Sequence, residues 1–137
     1  MKHFIWSVRV YYEDTDNSGV VYYANYLKFM ERARTEWLRS LGFEQDALSE
    51  REKVLFVVRS VKLDYRRPAR FNDLLEVQSR VVATRGASLT FAQAILRAGQ
   101  SNESLCSGRI RVACVDANSF RPRPIPRQVL TEMIGGN

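Results

Sequence analysis

The chain has 137 residues, with 21 Lys and Arg against 15 Asp and Glu and a formal net charge of +6 at pH 7. Its 45% hydrophobic and 26% charged residues are typical of one globular domain over residues 1–137 rather than of a disordered chain. One histidine and two cysteines are too few for a structural zinc site, and we expect no metal ion. With no long apolar run and no signal-peptide pattern, we also expect no transmembrane segment and a cytoplasmic location.

The first half of the chain predicts a strand, a polar loop and one long helix. Residues 5–12 are rich in β-branched and aromatic side chains, as in a strand, and residues 13–19 are rich in turn formers. From about residue 24 to residue 41, apolar side chains recur at helical spacing. Gly42 is expected to cap this helix, and residues 44–51 to add a short second one. The apolar stripe of the long helix comprises Tyr26, Leu27, Met30, Ala33, Trp37, Leu38 and Leu41.

From Val54 onward the apolar period changes to two, which predicts strands with one buried face. The first of these strands ends before Pro68, and its apolar positions are Leu55, Val57, Val61, Leu63 and Tyr65. Three further strands are predicted at residues 74–84, 87–97 and 105–115. Residues 120–127 are expected to be extended, and residues 128–134 to form a terminal turn of helix.

This order of elements, one strand, a long helix and then four strands joined by short turns, predicts an α+β fold. The second half has no helix after each strand, so a parallel sheet is excluded. We therefore expect a five-stranded antiparallel sheet around one central helix, the arrangement called the hotdog, with its core at about residues 5–127. Cys106 and Cys114 fall in the last strand and are expected to be buried small residues without a disulfide.

The loop between the first strand and the long helix carries the strongest chemical signal. Three carboxylates, Glu13, Asp14 and Asp16, fall within four residues directly before the helix. Amides at a helix N-terminus lack intrahelical acceptors, so they can polarise a substrate carbonyl as an oxyanion hole does. A carboxylate beside such amides is a minimal arrangement for acyl hydrolysis. Helix capping and turn formation, however, would account for the same acidic residues.

Residues 12–26, with the pattern Y-x-D-T-D-x-x-G-x-V, resemble the active-site motif of the 4-hydroxybenzoyl-CoA-thioesterase-like hotdog proteins. The similarity continues through the helix and through segments VVR, YRRPA, DLLEV and RGASLTF, over about residues 8–126. Within that family the chain is most similar to the small bacterial acyl-CoA thioesterases associated with the Tol–Pal envelope system. The resemblance implies hydrolysis of acyl-CoA to a carboxylic acid and free coenzyme A, with no separate cofactor.

The resemblance also implies roles for individual residues. Asp16 matches the catalytic aspartate, which acts as nucleophile or general base, and the sequence does not choose between the two. Gly19 matches the glycine that lets the loop pass close to the substrate. Tyr23 matches the position at the helix start whose backbone N–H polarises the thioester carbonyl. Related proteins often carry histidine at that position, a departure that bears on acyl preference more than on hydrolysis.

Substrate binding draws on the positive charge and on an aromatic cluster. Five Lys or Arg against one Asp occur at residues 59–70, and again at residues 109–127. Coenzyme A phosphates, nucleic acid, an anionic membrane or a merely solvated surface would each suit such stretches. By the resemblance, coenzyme A lies across a subunit interface. The candidates for its phosphates are Arg59, Arg85 and Ser88, and the candidate for the acyl pocket is Tyr26.

The resemblance implies a homo-oligomer, a dimer or a tetramer of paired dimers. One helix also cannot cover both faces and both edges of a five-stranded sheet. An alternative function is a weakly catalytic binder of acyl carrier protein or of phospholipid-synthesis enzymes, with peripheral membrane association. A nucleic-acid-binding function has only the basic composition in its favour, because no recognisable DNA or RNA motif is present.

Overall fold

The structure is a computed structural model that describes residues 3–100 and 102–135. The sheet has the strand order β1-β3-β4-β5-β2, and all neighbouring strands are antiparallel. The predicted α+β hotdog fold, a five-stranded antiparallel sheet with one long helix, is confirmed. No helix in residues 3–100 and 102–135 is long and apolar enough to cross a membrane. The elements are β1 (His3–Arg9), α1 (Asn25–Ser40), α2 (Gln45–Glu52), β2 (Val54–Tyr65), β3 (Leu74–Arg85), β4 (Ser88–Arg97), β5 (Cys106–Asp116) and α3 (Arg127–Ile134).

Helix α1 buries its apolar stripe against β1 and β3. Trp37 is 2% exposed and lies between the rings of Phe4 and Phe91, at centroid distances of 6.0 and 5.9 Å. Removing such a buried aromatic side chain ordinarily costs about 3–5 kcal/mol of stability. The prediction was wrong for Leu27, whose side chain is exposed. One residue along a helix is a rotation of about 100°, which turns Leu27 away from the face that Tyr26 buries.

The C-terminal helix extends the core beyond the expected limit at residue 127. α3 is two turns long rather than a single turn, and it buries Val129 and Met133. Before it, residues 122–126 run back along β5, where Arg123 N donates to Cys114 O at 2.9 Å. α3 therefore adds two buried side chains to the core.

β1 ends at Arg9, three residues earlier than predicted. The backbone N–H of Tyr11 donates to Asp14 Oδ2 at 2.9 Å, and residues Tyr12–Asp14 wind into a 3-10 turn. Aromatic side chains at positions 11 and 12 suit a strand, but the aspartate three residues later offers the backbone a local acceptor. The acidic loop thus begins inside the segment predicted to be extended.

β2 contains a β-bulge that the sequence pattern did not reveal. Its pairing with β5 shifts register between Val58 and Ser60, and Arg59 is the extra residue. Val58 pairs with Val112 and Val61 pairs with Ile110, and both of these β5 residues are buried on the face that α1 covers. The continuous alternation predicted through Leu55 and Val57 was therefore wrong, because a bulge reverses the phase of the following side chains.

The turn after β5 gives a testable effect of pH on stability. Asp116 Oδ2 accepts the backbone N–H groups of Ser119 and Asn118 at 2.9 and 3.0 Å, and Oδ1 accepts Arg123 Nη1 at 2.9 Å. These bonds lower the pKa of Asp116 from 3.8 to about 2. A carboxylate with a lowered folded-state pKa adds stability above its unfolded pKa and loses it as the pH falls.

We expect Asp116→Asn to lower the free energy of unfolding at pH 7. The difference from the wild type should shrink between about pH 4 and about pH 2, as the wild-type carboxylate becomes protonated. Urea unfolding of both proteins across this pH range measures the effect. A difference that stays constant down to pH 2 would show that the ionised carboxylate contributes nothing.

Candidate active site

The loop between β1 and α1 is closed at its base by hydrogen bonds to Asp14. The backbone oxygen of Asp14 accepts Tyr22 N and Asn25 Nδ2, both at 2.9 Å. Thr15 pairs with Val21 in an isolated β-bridge, and Thr15 Oγ1 donates to Tyr12 O at 2.8 Å. Asp14 and Thr15 therefore build the loop and tie its outgoing arm to the start of α1.

Asp16 lies at the exposed tip of this loop. Its Oδ1 accepts the backbone N–H of Ser18 at 2.8 Å, which fixes the orientation of the carboxylate. Its own N–H donates to Val20 O at 2.9 Å. Within the described ranges, Oδ2 accepts no hydrogen bond. One carboxylate oxygen is thus used for positioning, while the other faces solvent and remains available for chemistry.

Gly19 closes the turn that holds Asp16. Its backbone has φ of +80°, a left-handed conformation that side chains with a Cβ rarely adopt. A Cβ built at this position would meet no atom within 4 Å. Within this chain, the demand for glycine therefore comes from the backbone conformation of the turn and not from crowding.

Tyr23 lies two residues before α1, next to its N-cap Ala24, with an exposed side chain and an unused backbone donor. Its carbonyl oxygen accepts the hydroxyl of Tyr65 at 3.0 Å. Its N–H has no acceptor in the part of the chain that the structure describes. Such an amide at the start of a helix can stabilise an oxyanion. An open pocket of about 260 Å³ lies here, lined by Val21, Tyr23, Tyr26, Tyr65, Arg66, Arg67 and Pro68.

Tyr26 forms the inner wall of this pocket and is almost fully buried. Its hydroxyl oxygen accepts the backbone N–H of Ala69 at 3.0 Å, and burial raises the pKa of the phenol. The side chain thus joins α1 to the segment after β2. Tyr26 therefore lines the pocket and also makes a structural hydrogen bond.

Tyr26→Phe tests that structural bond. The substitution leaves the buried N–H of Ala69 without an acceptor, which ordinarily costs about 1–3 kcal/mol. We expect the free energy of unfolding in urea to fall by about that amount. Tyr12→Phe is a matched control, because the Tyr12 hydroxyl is exposed and makes no hydrogen bond within the described residues. Equal stability of the two variants would contradict the role of Tyr26.

The three residues predicted to hold phosphates lie away from the loop in the same chain. Arg59 is exposed at the bulge of β2. Arg85 and Ser88 flank the β3–β4 turn, where Ser88 Oγ donates to Arg85 O at 2.9 Å and accepts Arg111 Nε at 3.4 Å. β3 begins beside the loop and reaches that turn eleven residues later, about 36 Å away at 3.3 Å per residue. A single chain does not bring Arg85 and Ser88 to Asp16.

Two features of this region were missed from the sequence. Tyr65 was predicted only as an apolar strand position, and nothing local indicated its bond to Tyr23. Arg34 lies in the long helix outside the predicted apolar stripe, and no contact was predicted for it. Instead Arg34 Nη1 donates to Gln93 Oε1 at 2.9 Å beside an apolar pocket of about 110 Å³, and burial lowers the pKa of the guanidinium. Which helical residues face β4 depends on how the helix is rotated on the sheet.

Both cysteines are buried, as predicted. Burial raises the pKa of Cys106 to about 12 and also raises that of Cys114. Because the thiolate is the reactive form, neither residue is a nucleophile at neutral pH. The two cysteines therefore offer no thiolate for acyl transfer at neutral pH.

Comparison with known proteins agrees with this geometry. A family model described as the thioesterase-like superfamily matches residues 10–133. The chain is 48% identical over 129 residues to the acyl-CoA thioester hydrolase YbgC of Escherichia coli O6:H1 (strain CFT073), covering 94% of each protein. It is 37% identical to a probable thioesterase from Bartonella henselae, with a TM-score of 0.83, over 91% of this chain and 100% of the other.

A 1,4-dihydroxy-2-naphthoyl-CoA thioesterase from Synechocystis has the same fold. Its TM-score is 0.88, with coverage of 96% of each chain and 22% sequence identity. At that identity the likeness concerns the arrangement of helices and strands.

Proposed function

The chain belongs to the thioesterase-like superfamily and is an acyl-CoA thioesterase, and we propose that Asp16 carries its reaction. The observation that supports this most strongly is that two groups without a hydrogen-bond partner among the described residues lie in the segment between β1 and α1. The Asp16 carboxylate has one oxygen without a partner in the described residues, and the Tyr23 N–H has no acceptor there. A thioester with its carbonyl at the amide would present its electrophilic carbon to this loop.

The chemistry follows from these two groups. As a nucleophile, Asp16 attacks the thioester carbon, the carbon–sulfur bond breaks, and water then hydrolyses the mixed anhydride. As a general base, Asp16 takes a proton from the water that attacks the same carbon. In both cases the Tyr23 amide stabilises the negative oxygen, and the sulfur leaves with a proton as free coenzyme A. The side chain of Tyr23 is not needed for this role.

A thiol-release assay tests the proposal and identifies the acyl class. The panel comprises acyl-CoA substrates from two to sixteen carbons and benzoyl-CoA, each assayed with the wild type and with Asp16→Asn. If the wild type prefers one acyl class and its turnover disappears in Asp16→Asn, the assignment is supported. A slow, flat profile that the substitution leaves unchanged favours the carrier-binding alternative.

We further propose that the working form is a homodimer paired along β2. β2 is a twelve-residue edge strand, and its side chains Val58, Val61 and Tyr65 are 49%, 42% and 48% exposed on the face that α1 covers elsewhere. Exposed apolar residues on a long edge strand favour pairing with another strand. Pairing of dimers into a homotetramer stays a prediction.

Antiparallel pairing of two β2 strands would supply the phosphate-binding residues that lie too far from Asp16 within one chain. It would bring the β3–β4 turn of one protomer to the end of the sheet where the partner's loop lies. Arg59, Arg85 and Ser88 would then serve the site of the other subunit, with Arg85 contributing charge and Ser88 holding the turn. This supports the predicted placement of coenzyme A across the interface.

A second candidate function is the binding of acyl carrier protein or of phospholipid-synthesis enzymes. Exposed Arg66 at the pocket favours an acidic partner, because it pairs with no carboxylate among the described residues. Its neighbour Arg67 is already paired with Glu103 at 3.0 Å. Comparing kcat/KM for acyl-CoA and acyl carrier protein of equal chain length tests it. A preference for the carrier protein that falls with added salt would support the alternative. The cytoplasmic location, the Tol–Pal link and peripheral membrane association stay predictions.

A further inference from the structure

Three positive side chains lie in one row across the sheet, on the face away from α1. The register aligns His3 with Arg80, Arg80 with Ala92, Ala92 with Arg109 and Arg109 with Lys62, one residue from each strand. Their chain neighbours Ser79, Val81 and Ile110 are buried on the helix side, so this row faces the other way. We refer to Arg80, Arg109 and Lys62 as the cationic row.

The cationic row is not neutralised by the protein. Within residues 3–100 and 102–135, Lys62, Arg80 and Arg109 form no ion pair or side-chain hydrogen bond. Lys62 and Arg109 also face each other directly across two strands, an arrangement that destabilises an antiparallel pair. The fold itself therefore gains nothing from these charges, and an anion bound between them would relieve their repulsion.

The row borders a depression and not a flat surface. The depression has a volume of about 420 Å³, and the short side chains of Ala92 and Ala94 form its floor. A second row lies beside the first, and its polar members are Gln78, Ser107 and Asp64. Its other members, Ile5 and Ala94, are apolar. Small-molecule sites have volumes of this order, with a few convergent polar groups.

We propose that this depression binds a phosphorylated small molecule of the nucleotide class. Its phosphates would lie over the cationic row, and its hydroxyl or amino groups over Gln78, Ser107 and Asp64, which supply acceptors for them. A flat anionic membrane would leave the depression unfilled and would place its charge against Asp64. A second copy of the chain would bring one cationic row against another. The sheet separates this site from α1 and from the thioester chemistry.

The test is calorimetric binding of ADP, inorganic pyrophosphate and adenosine to the wild-type protein. We expect ADP and pyrophosphate to bind and adenosine not to bind. The double variant Arg80→Gln/Arg109→Gln should weaken ADP binding by at least about tenfold, because two charged contacts are lost. The matched control Arg121→Gln/Arg127→Gln removes the same charge from exposed positions elsewhere and should stay within about twofold.

The readouts separate this site from the catalytic one. The KM and kcat for acyl-CoA should be unchanged in Arg80→Gln/Arg109→Gln, and its melting temperature should be equal or higher, because like charges are removed. Single variants Arg80→Gln and Arg109→Gln replace the pair if the double variant fails to fold.

Three results would overturn the proposal. One is an equal loss of ADP binding in the control, which would indicate net charge alone. Another is a parallel rise in KM for acyl-CoA, which would assign the face to the substrate. The third is that neither ADP nor pyrophosphate binds, while phosphatidylglycerol vesicles titrated in the same way do bind, which would indicate a membrane surface.

Discussion

Asp16→Asn is expected to lower kcat for acyl-CoA hydrolysis by at least about a hundredfold. Asparagine keeps an oxygen that can accept the N–H of Ser18, so the turn around position 16 should persist. It cannot act as a general base, and its amide is a far poorer nucleophile than a carboxylate. The loss should therefore fall on kcat, with little change in melting temperature. Thiol release under saturating substrate measures it.

Glu13→Gln is the matched control for this experiment. Glu13 lies in the same loop, is exposed, and has no partner among the residues described. The substitution removes one negative charge from the loop without touching the Asp16 turn, so kcat should stay within about twofold of the wild type. Near-wild-type turnover in Asp16→Asn, or equal losses in both variants, would contradict the catalytic assignment.

Val61→Glu is expected to dissociate the proposed dimer and to abolish activity with it. Val61 is 42% exposed on edge strand β2, where partner contacts would bury it. Burying an unpaired carboxylate at each copy of the interface costs several kcal/mol, which weakens the dimer at least about a thousandfold. Light scattering during size-exclusion chromatography measures the mass, and activity is followed against protein concentration.

Ile5→Glu is the control on the opposite edge of the sheet. Ile5 is 56% exposed on β1, which is shorter than β2 and lies at the far edge. The same change there should leave mass and kcat unaltered. Activity of Val61→Glu should recover partly as its concentration rises, because mass action restores the dimer. A monomeric Val61→Glu protein with full kcat would show that one chain holds a complete site.

Local patterns in the sequence were sufficient to predict the helices and most of the strand boundaries. Apolar spacing of three and four predicted α1 to within about a residue at each end, and Gly42 indeed adopts a left-handed backbone after it. The loop before α1 could also be predicted from the sequence, because its hydrogen bonds join residues close in sequence, such as Ser18 to Asp16 and Gly19 to Asp16. Interactions between residues a few positions apart can be predicted from the types of the neighbouring residues.

What depends on distant residues could not be read in the same way. The bulge at Arg59 arises from how β2 pairs with β5, and no residue type near position 59 indicates a bulge. Leu27 was predicted in the apolar stripe but is exposed, whereas Arg34 contacts Gln93 on β4, because the rotation of α1 on the sheet decides which side is covered. Tyr65 reaches Tyr23 across 42 residues, a contact that exists only after the sheet has formed.

The sequence by itself therefore determined the elements, the acidic loop before α1 and the family to which the chain belongs. The tertiary structure alone decided the strand order, and with it which edge stays open and which charges share a face. Lys62 and Arg109 belong to two separate basic stretches of the chain, yet the β2–β5 register sets them opposite each other. The physical reason is range: helix periods and turns are set within a few residues, whereas register is set by pairing between segments far apart in the chain.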